Sequence, residues 1–378
     1  MFDPERLPEV KQRIREATQE NTYLFDSVEQ DVSGLRAQTV TIQPRSTNTI
    51  SLVASDAGNN KIEFNPLLLQ MVRVVDSKGK ELVFDVISSE TDTRELSRRQ
   101  FGDDGTPVTP LGKLMRDLNV EWLWDLTSMI PQRPETSGWT IVFRDLCEWA
   151  AIYEQCCYKE WGQDTLLLHD GLLRTKVFKG DLFVQMYHRI KESIDQAKRV
   201  DRRDLFLVGI AKHSEVLERY RLAMALSNVF PGGAAQYVPI PMDMQKKVYK
   251  WNEYLRLPTD TAEDVEQPKY NMGEMYFVRF GTRTGDPVWT VDLLAGQTSQ
   301  AQKIFGSLLS DAEVGFPVPY YPDCLQKADA HAQVVDLDLA ILQDAMIDAL
   351  RDHLGPQRKP IFDAHQLVAS DPAARRYS

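Results

Sequence analysis

The chain has 378 residues, 43% hydrophobic and 26% charged, ordinary proportions for a globular protein with room for more than one minimal core. Its 44 Lys and Arg against 55 Asp and Glu leave a net charge of −11, which argues against a protein that coats nucleic acid through phosphate contacts. An enzyme whose clustered carboxylates are offset by a divalent metal remains open, as does a basic partner that holds the nucleic acid. No apolar run approaches the roughly 18 to 20 residues that span a bilayer, and the charged, helix-like N-terminus has no apolar signal core. The four cysteines, Cys147, Cys156, Cys157 and Cys324, contain no CxxC pair. That excludes the usual zinc cage or disulfide framework and fits a reducing cytoplasm.

Taken in chain order, residues 4–31 place Leu7, Val10, Ile14, Leu24 and Val28 at near-helical spacing, which predicts an N-terminal helical arm over 1–45. The apolar run 50–54 predicts a strand, and the SDAGNN that follows predicts a turn. MVRVVDS (71–77) and ELVFDVIS (81–88), joined by Lys78-Gly79-Lys80, predict a hairpin. Residues 89–136 read as an insertion, helical around 111–125. TIVFRDLCEWAAIYEQCCYKEW (140–161) has the texture of a helix packed on a core, and TLLLH (165–169) is an apolar strand ending at Asp170-Gly171. A helix over 181–199, the strand LFLVGIA (205–211) and a helix over 214–228 continue the alternation.

The stretch NVFPGGAAQYVPIP breaks the pattern. Strands 273–280 and 287–295 then flank a TRTGD turn, helices follow near 298–310 and 322–353, and the tail 355–378 reads as mobile in part. Hairpins first, then strands alternating with helices, predict a mixed α/β domain over 46–354.

Two acids stand out because each follows an apolar strand and precedes glycine closely: Asp56 in SDAG and Asp170 in HDG. Carboxylates at strand ends can face a crevice beside the sheet, and hard divalent cations prefer such oxygen ligands. Turn chemistry explains either one taken alone. A third acid, Glu148, is flanked by Leu146, Trp149 and Ala150; composition alone fits a plain helix-surface acid, and at the edge of a buried face its charge would be costly unless paired or metal-bound. Lys212 follows its strand as Asp170 follows TLLLH and is placed to neutralise phosphate charge. Arg174 and Lys176, just past Asp170, are candidates to steer a DNA backbone. His169, by strand alternation, faces away from Asp170 and reads as structural.

VASDAG, RDLCEW, LLLHDGLLRTKVF, LFLVGIAKHSEVLERY and GFPVPYYPDCLQKADAHAQV occur in that order. Together they resemble the NurA family of nucleases, intermittently from about residue 50 to 335, with DGLLR and the downstream GIAK as the most specific parts. The first motif departs from the family's usual Asp-Gly-Ser, reading Asp56-Ala57-Gly58. The resemblance implies an RNase H-like mixed sheet flanked by helices, and a Mn²⁺- or Mg²⁺-dependent nuclease acting on DNA ends. It also implies a homodimer working with a hexameric HerA-type ATPase. Carried over by residue, Asp56, Glu148 and Asp170 would be metal-binding acids. On the C-terminal motif Asp329 occupies the usual acid or His position, with His331 two residues on as its rival. Both cannot approach a metal from one helix face, because residues two apart diverge by about 200°. Tyr320 or Tyr321 would contact a phosphate or cap the core.

Other templates fail: there is no GxxxxGK[ST], no GxGxxG after a strand, no HExxH and no GxSxG. Energy for translocation would therefore come from a partner. Two further readings stay open, a catalytically inactive relative that acts as an assembly module on an ATPase ring, and a nuclease acting on RNA.

Overall fold

The computed structural model describes residues 6–45, 50–64, 67–133, 138–249, 271–333 and 336–369. The N-terminal arm is two helices, α1 (Leu7–Glu20) and α2 (Thr22–Val32), followed by a short strand β1 (Val40–Thr41). Next come three strands, β2 (Ile50–Phe64), β3 (Leu67–Asp76) and β4 (Glu81–Ser88). The insertion contributes α3 (Thr93–Arg98), α4 (Pro110–Asp117) and α5 (Leu123–Leu126). The long α6 (Trp139–Cys157) then leads into β5 (Asp164–Asp170), α7 (Leu182–Gln196), β6 (Leu205–Ala211) and α8 (Glu215–Leu226). The last third holds β7 (Gln236–Pro239), α9 (Met242–Val248), β8 (Gly273–Arg279), β9 (Trp289–Leu294), α10 (Ala301–Ala312), α11 (Asp323–Ala332), α12 (Asp336–His353) and α13 (Gly355–Ala369).

The described strands form one sheet in the order β1-β7-β8-β9-β6-β5-β2-β3-β4. Within it, β2, β3 and β4 make an antiparallel meander, and β5 and β6 run parallel to β2 on its other side. Numbered along these five strands the order is 3-2-1-4-5 with the second strand reversed, the arrangement of an RNase H-like fold. β9, β8, β7 and β1 extend the sheet beyond β6, each antiparallel to its neighbour.

Strand alternation sorts the core into two layers. Along β5, Leu166 and Leu168 join Tyr321, Leu325 and Ala328 beneath α10 and α11, whereas Leu167 joins Phe143, Leu146 and Trp149 of α6. β6 repeats the pattern, with Val208 and Ile210 on the first face and Leu205 and Leu207 on the second. Burying each of these large apolar side chains contributes about 1.5–3 kcal/mol. The second half of the N-terminal arm is anchored as well. Val32 and Leu35 pack with Val216, Leu217 and Tyr220 of α8, and Lys247 pairs with Asp31.

Several sequence expectations change. SDAGNN is not a turn: β2 runs unbroken to Phe64, with Gly58, Asn59 and Asn60 registered against Arg73, Val72 and Met71 of β3. Pairing along the sheet overrides the local turn preference of those residues. The NVFPGGAAQYVPIP stretch contains the short strand β7, the predicted 322–353 helix is two helices, and the insertion's 111–125 helix is the pair α4 and α5. The tail taken as mobile carries α13 over Gly355–Ala369, with Pro360 inside it. The Lys78-Gly79-Lys80 hairpin stands as expected, with Gly79 at φ +77° where a β-carbon would be strained.

The chain leaves β5 by crossing over β6, and its path bears on two glycines, Gly209 in β6 and Gly273 in β8. A β-carbon on Gly209 would lie 2.5 Å from the Gly171 carbonyl oxygen and 2.8 Å from the Leu173 nitrogen. One on Gly273 would lie 2.6 Å from Cβ of Asp292 and 3.2 Å from Cβ of Leu173. Both contacts involve backbone or short, fixed side chains that cannot swing aside. Gly209→Ala is therefore expected to destabilise the fold by about 1–3 kcal/mol, the usual range for overpacking. Urea denaturation of the variant beside the parent measures this.

Candidate active site

β5 delivers Asp170 as its last residue, and β6 delivers Lys212 one residue past its own end. Ser214 caps α8 through the Leu217 N–H, which ends the strand and fixes Lys212 at the sheet edge. The Lys212 ammonium donates to Asp170 Oδ2 at 2.7 Å and to Asp329 Oδ2 at 3.2 Å, so two aspartates from separate elements share one positive charge. Tyr321 Oη donates to the other Asp170 oxygen at 2.7 Å and lies 3.2 Å from the Ile210 carbonyl oxygen. The Lys212 ammonium also stands 5.4 Å from the centre of the Tyr321 ring. Burial alone would lower the Lys212 pKa. The hydrogen bond Lys212 donates to Asp170 and the charges of Asp170 and Asp329 outweigh burial and hold the pKa above the usual lysine value.

Asp56 enters through the backbone of β2, whose side chains lie outside the described residues. Ser55 registers with His169 in the parallel β2–β5 pair, so Asp56 follows in the strand beside Asp170. It sits in the interior of a long strand, where the sequence had placed it after a strand's end.

Glu148 goes elsewhere. Its Oε1 is 3.0 Å from His169 Nδ1, with the two side chains 12% and 8% exposed, and the His169 ring is tilted against Trp149 with ring centres 5.0 Å apart and 47° between planes. His169 leaves β5 on the face opposite Asp170, as strand alternation predicted, and Glu148 meets the strand there. The structure therefore joins Asp170, Lys212 and Asp329, adds Asp56 by register, and gives Glu148 a histidine partner. Of the two C-terminal rivals, Asp329 is the one at the site. The His331 ring lies over the β3–β4 turn, where a β-carbon on Gly79 would meet it at 3.6 Å, and its carbonyl accepts from Arg73 Nη1 at 2.7 Å.

Two of the residues expected to touch DNA turn inward. The Arg174 side chain is 4% exposed and forks onto Asp292, with Nη2 to Oδ1 at 2.7 Å and Nε to Oδ2 at 2.9 Å. It is a structural ion pair, its guanidinium committed to Asp292. Burial would lower the Arg174 pKa, and the Asp292 charge overcomes it and holds the pKa raised. Tyr321 is 0% exposed, and its hydroxyl serves Asp170. Only Lys176 of this group is exposed. The sequence reading had passed over Asp292; its one signal was an acid inside the apolar strand WTVDLL.

The donors that converge here are carboxylate oxygens, the kind hard divalent cations take, and the Lys212 ammonium marks the point where positive charge is wanted. They fit such an ion in chemical type. Among the described residues no group of three or more His, Cys, Asp or Glu side chains stands in metal-binding geometry, so a full ligand set would draw on Asp56. No helix among the described residues is long and apolar enough to cross a membrane.

No family model and no curated protein sequence matches the chain. Solved structures do match. The NurA nuclease from Sulfolobus solfataricus aligns at 12% identity over 90% of this chain and 97% of that one, with a TM-score of 0.39. A second NurA crystal structure aligns at 11% identity over 94% and 99%, TM-score 0.43. The structure is similar to NurA. A further NurA structure, bound to dAMP and manganese, aligns at 10% identity over 92% and 98%, TM-score 0.40.

The Arg174–Asp292 pair yields a stability prediction. Asp292→Ala leaves a buried, uncompensated guanidinium and is expected to cost about 3–5 kcal/mol. A thermal melt that stays within a degree or two of the parent would show that the pair is not needed.

Proposed function

We propose that this chain is a divalent-metal-dependent nuclease that hydrolyses phosphodiester bonds in DNA, in the processing of DNA ends. The observation that carries the reading is the Asp170 carboxylate. It ends the central parallel strand of an RNase H-like order, stands beside the strand of Asp56, and shares Lys212 with Asp329. The motif resemblance to NurA nucleases points the same way.

Asp170 and Asp329, with Asp56, would hold Mn²⁺ or Mg²⁺. Such an ion, when bound, activates water and offsets charge on the phosphate. The chain's own groups do the rest. Tyr321 holds one Asp170 oxygen, leaving the carboxylate a single orientation. Lys212 supplies a fixed positive charge at the sheet edge, where phosphate oxygens gain charge during hydrolysis. A homodimer and a hexameric HerA-type ATPase as the source of translocation complete the proposal from the motif resemblance, and a cytoplasmic setting from the cysteine pattern.

One observation favours a second reading, a catalytically inactive module that serves assembly on an ATPase ring. Glu148, the third acid of the resemblance, is partnered by His169 on the far side of β5.

Incubation of the pure protein with linear single- and double-stranded DNA and with RNA, in Mn²⁺ and in EDTA, separates these readings. Degradation of DNA in Mn²⁺ that EDTA abolishes is the expected result. Asp170→Asn should lower the rate by at least about 10²-fold, and Lys212→Met by about 10²-fold, the scale for losing one charge-stabilising group. No Mn²⁺-dependent degradation, alone or with a cognate ATPase, would leave the assembly module standing. Degradation indifferent to Asp170→Asn would place the active site elsewhere, and a preference for RNA would change the substrate.

A further inference from the structure

The turn between β3 and β4 carries positive charge that the proposed active site does not use. Asp76, 5% exposed, accepts from the backbone N–H of Lys78 and of Lys80 through one oxygen, both at 2.9 Å. Gly79 donates its own N–H to the Asp76 carbonyl, also at 2.9 Å, and takes the left-handed conformation at φ +77°. The turn is held in one shape, and the two lysines that flank Gly79 are exposed.

A third lysine shares their field. Burial lowers the Lys159 pKa, and the charges of Lys80 and Lys78 lower it further against the opposing pull of Asp76 and Glu154. The Lys159 ammonium lies 3.9 Å from the centre of the Trp161 ring and donates to Gln155. None of the three lysines forms an ion pair among the described residues. The acids beside them are engaged elsewhere, Asp76 by the turn's backbone, Glu81 by Arg73 at 3.1 Å and Glu154 by Lys113. In a chain of net charge −11, such a group of unpaired ammonium ions is a local attraction for an anion.

α11 connects this turn to the active site. The His331 ring lies over Gly79, and two residues earlier Asp329 accepts from Lys212. Residues two apart on a helix diverge by about 200°, so the last turn of α11 has the carboxylate site on one flank and the lysine turn on the other. A small anion would need only one of these cation positions, whereas a polyanion spans both. Ammonium groups act as compact point charges toward phosphate and carry no base readout.

We propose that Lys78 and Lys80, with Lys159 beside them, hold the phosphodiester backbone of the substrate strand a few nucleotides from the point of cleavage. The path rests on the proposed function, but the lysine contact itself needs no cleavage.

The test therefore reads binding with hydrolysis switched off. In EDTA, anisotropy of a labelled DNA of about 20 nucleotides, single-stranded and as its blunt duplex, is followed from about 50 to 200 mM salt. Lys78→Ala with Lys80→Ala should weaken binding about ten-fold at the low end and make the log–log salt slope shallower by about 1 to 2. Lys78→Arg with Lys80→Arg keeps both charges and should bind within about two-fold of the parent. Removing the same charge elsewhere, at the exposed Lys11 and Lys246 by Lys11→Ala with Lys246→Ala, should leave the slope unchanged. An unaltered slope in the Lys78 and Lys80 alanine variant, a ten-fold loss in the arginine variant, or an equal loss in the Lys11 and Lys246 variant would overturn the proposal. So would no binding of either DNA by the parent at about 100 µM, the weak end of non-specific association. Absence of Mn²⁺-dependent cleavage in a parent whose salt slope depends on the two lysines would overturn the nuclease and leave the turn assigned.

Discussion

A buried ion pair fixes the exit from β5, and the candidate site depends on that exit. After Asp170 the chain turns at Gly171, drops Leu173 into the core below α6, and ties Arg174 to Asp292 in β9. The Leu173 N–H also donates to Asp292 Oδ2 at 3.0 Å, so backbone and side chain are held by the same carboxylate. Two charges out of water would be costly apart. Together, with the fork geometry satisfied, they pin the segment across β6, and Asp170 is left at the sheet edge with no freedom to follow the chain.

Against that frame the site is a small electrostatic arrangement. Lys212 lies between Asp170 and Asp329, and Tyr321 occupies the remaining Asp170 oxygen. The groups come from β5, the end of β6, α11 and the loop before α11, so the site forms only when both halves of the fold are in place. A net charge of −11 is no obstacle to binding a phosphodiester when a lysine and a divalent ion supply positive charge at the one point where it is needed.

Much of this was legible in the sequence because its signals are local. Apolar strands ending in Asp170 and just short of Lys212, and the Lys-Gly-Lys hairpin, are patterns that neighbours in the chain create together. Where the reading failed, the deciding partner was distant. Arg174 looked available for a phosphate because it sits four residues past Asp170, yet Asp292 claims it from 118 residues downstream. Gly58, Asn59 and Asn60 carry turn preferences that only pairing with β3 overrides. Glu148 carried two readings, a plain helix-surface acid and an acid at the edge of a buried face in need of a partner; the structure gives the second, and nothing in the helix sequence said that the partner would be His169. Tyr321 differs again: burial and function were weighed as rivals, and the structure gives a buried ring whose hydroxyl reaches the carboxylate.

Adjacent residues of β5 serve opposite faces: His169 meets Glu148 and Trp149, and Asp170 meets Lys212 and Tyr321. A slip of one residue in this strand would send the carboxylate into the aromatic layer and the imidazole toward the lysine. Parallel pairing to β2 on one side and β6 on the other guards against that slip from both flanks. The strand can thus absorb an exchange of one apolar side chain for another far more readily than a change in its length. Here chain length between Asp164 and Asp170 is itself a determinant of chemistry, as much as the identity of any residue in it.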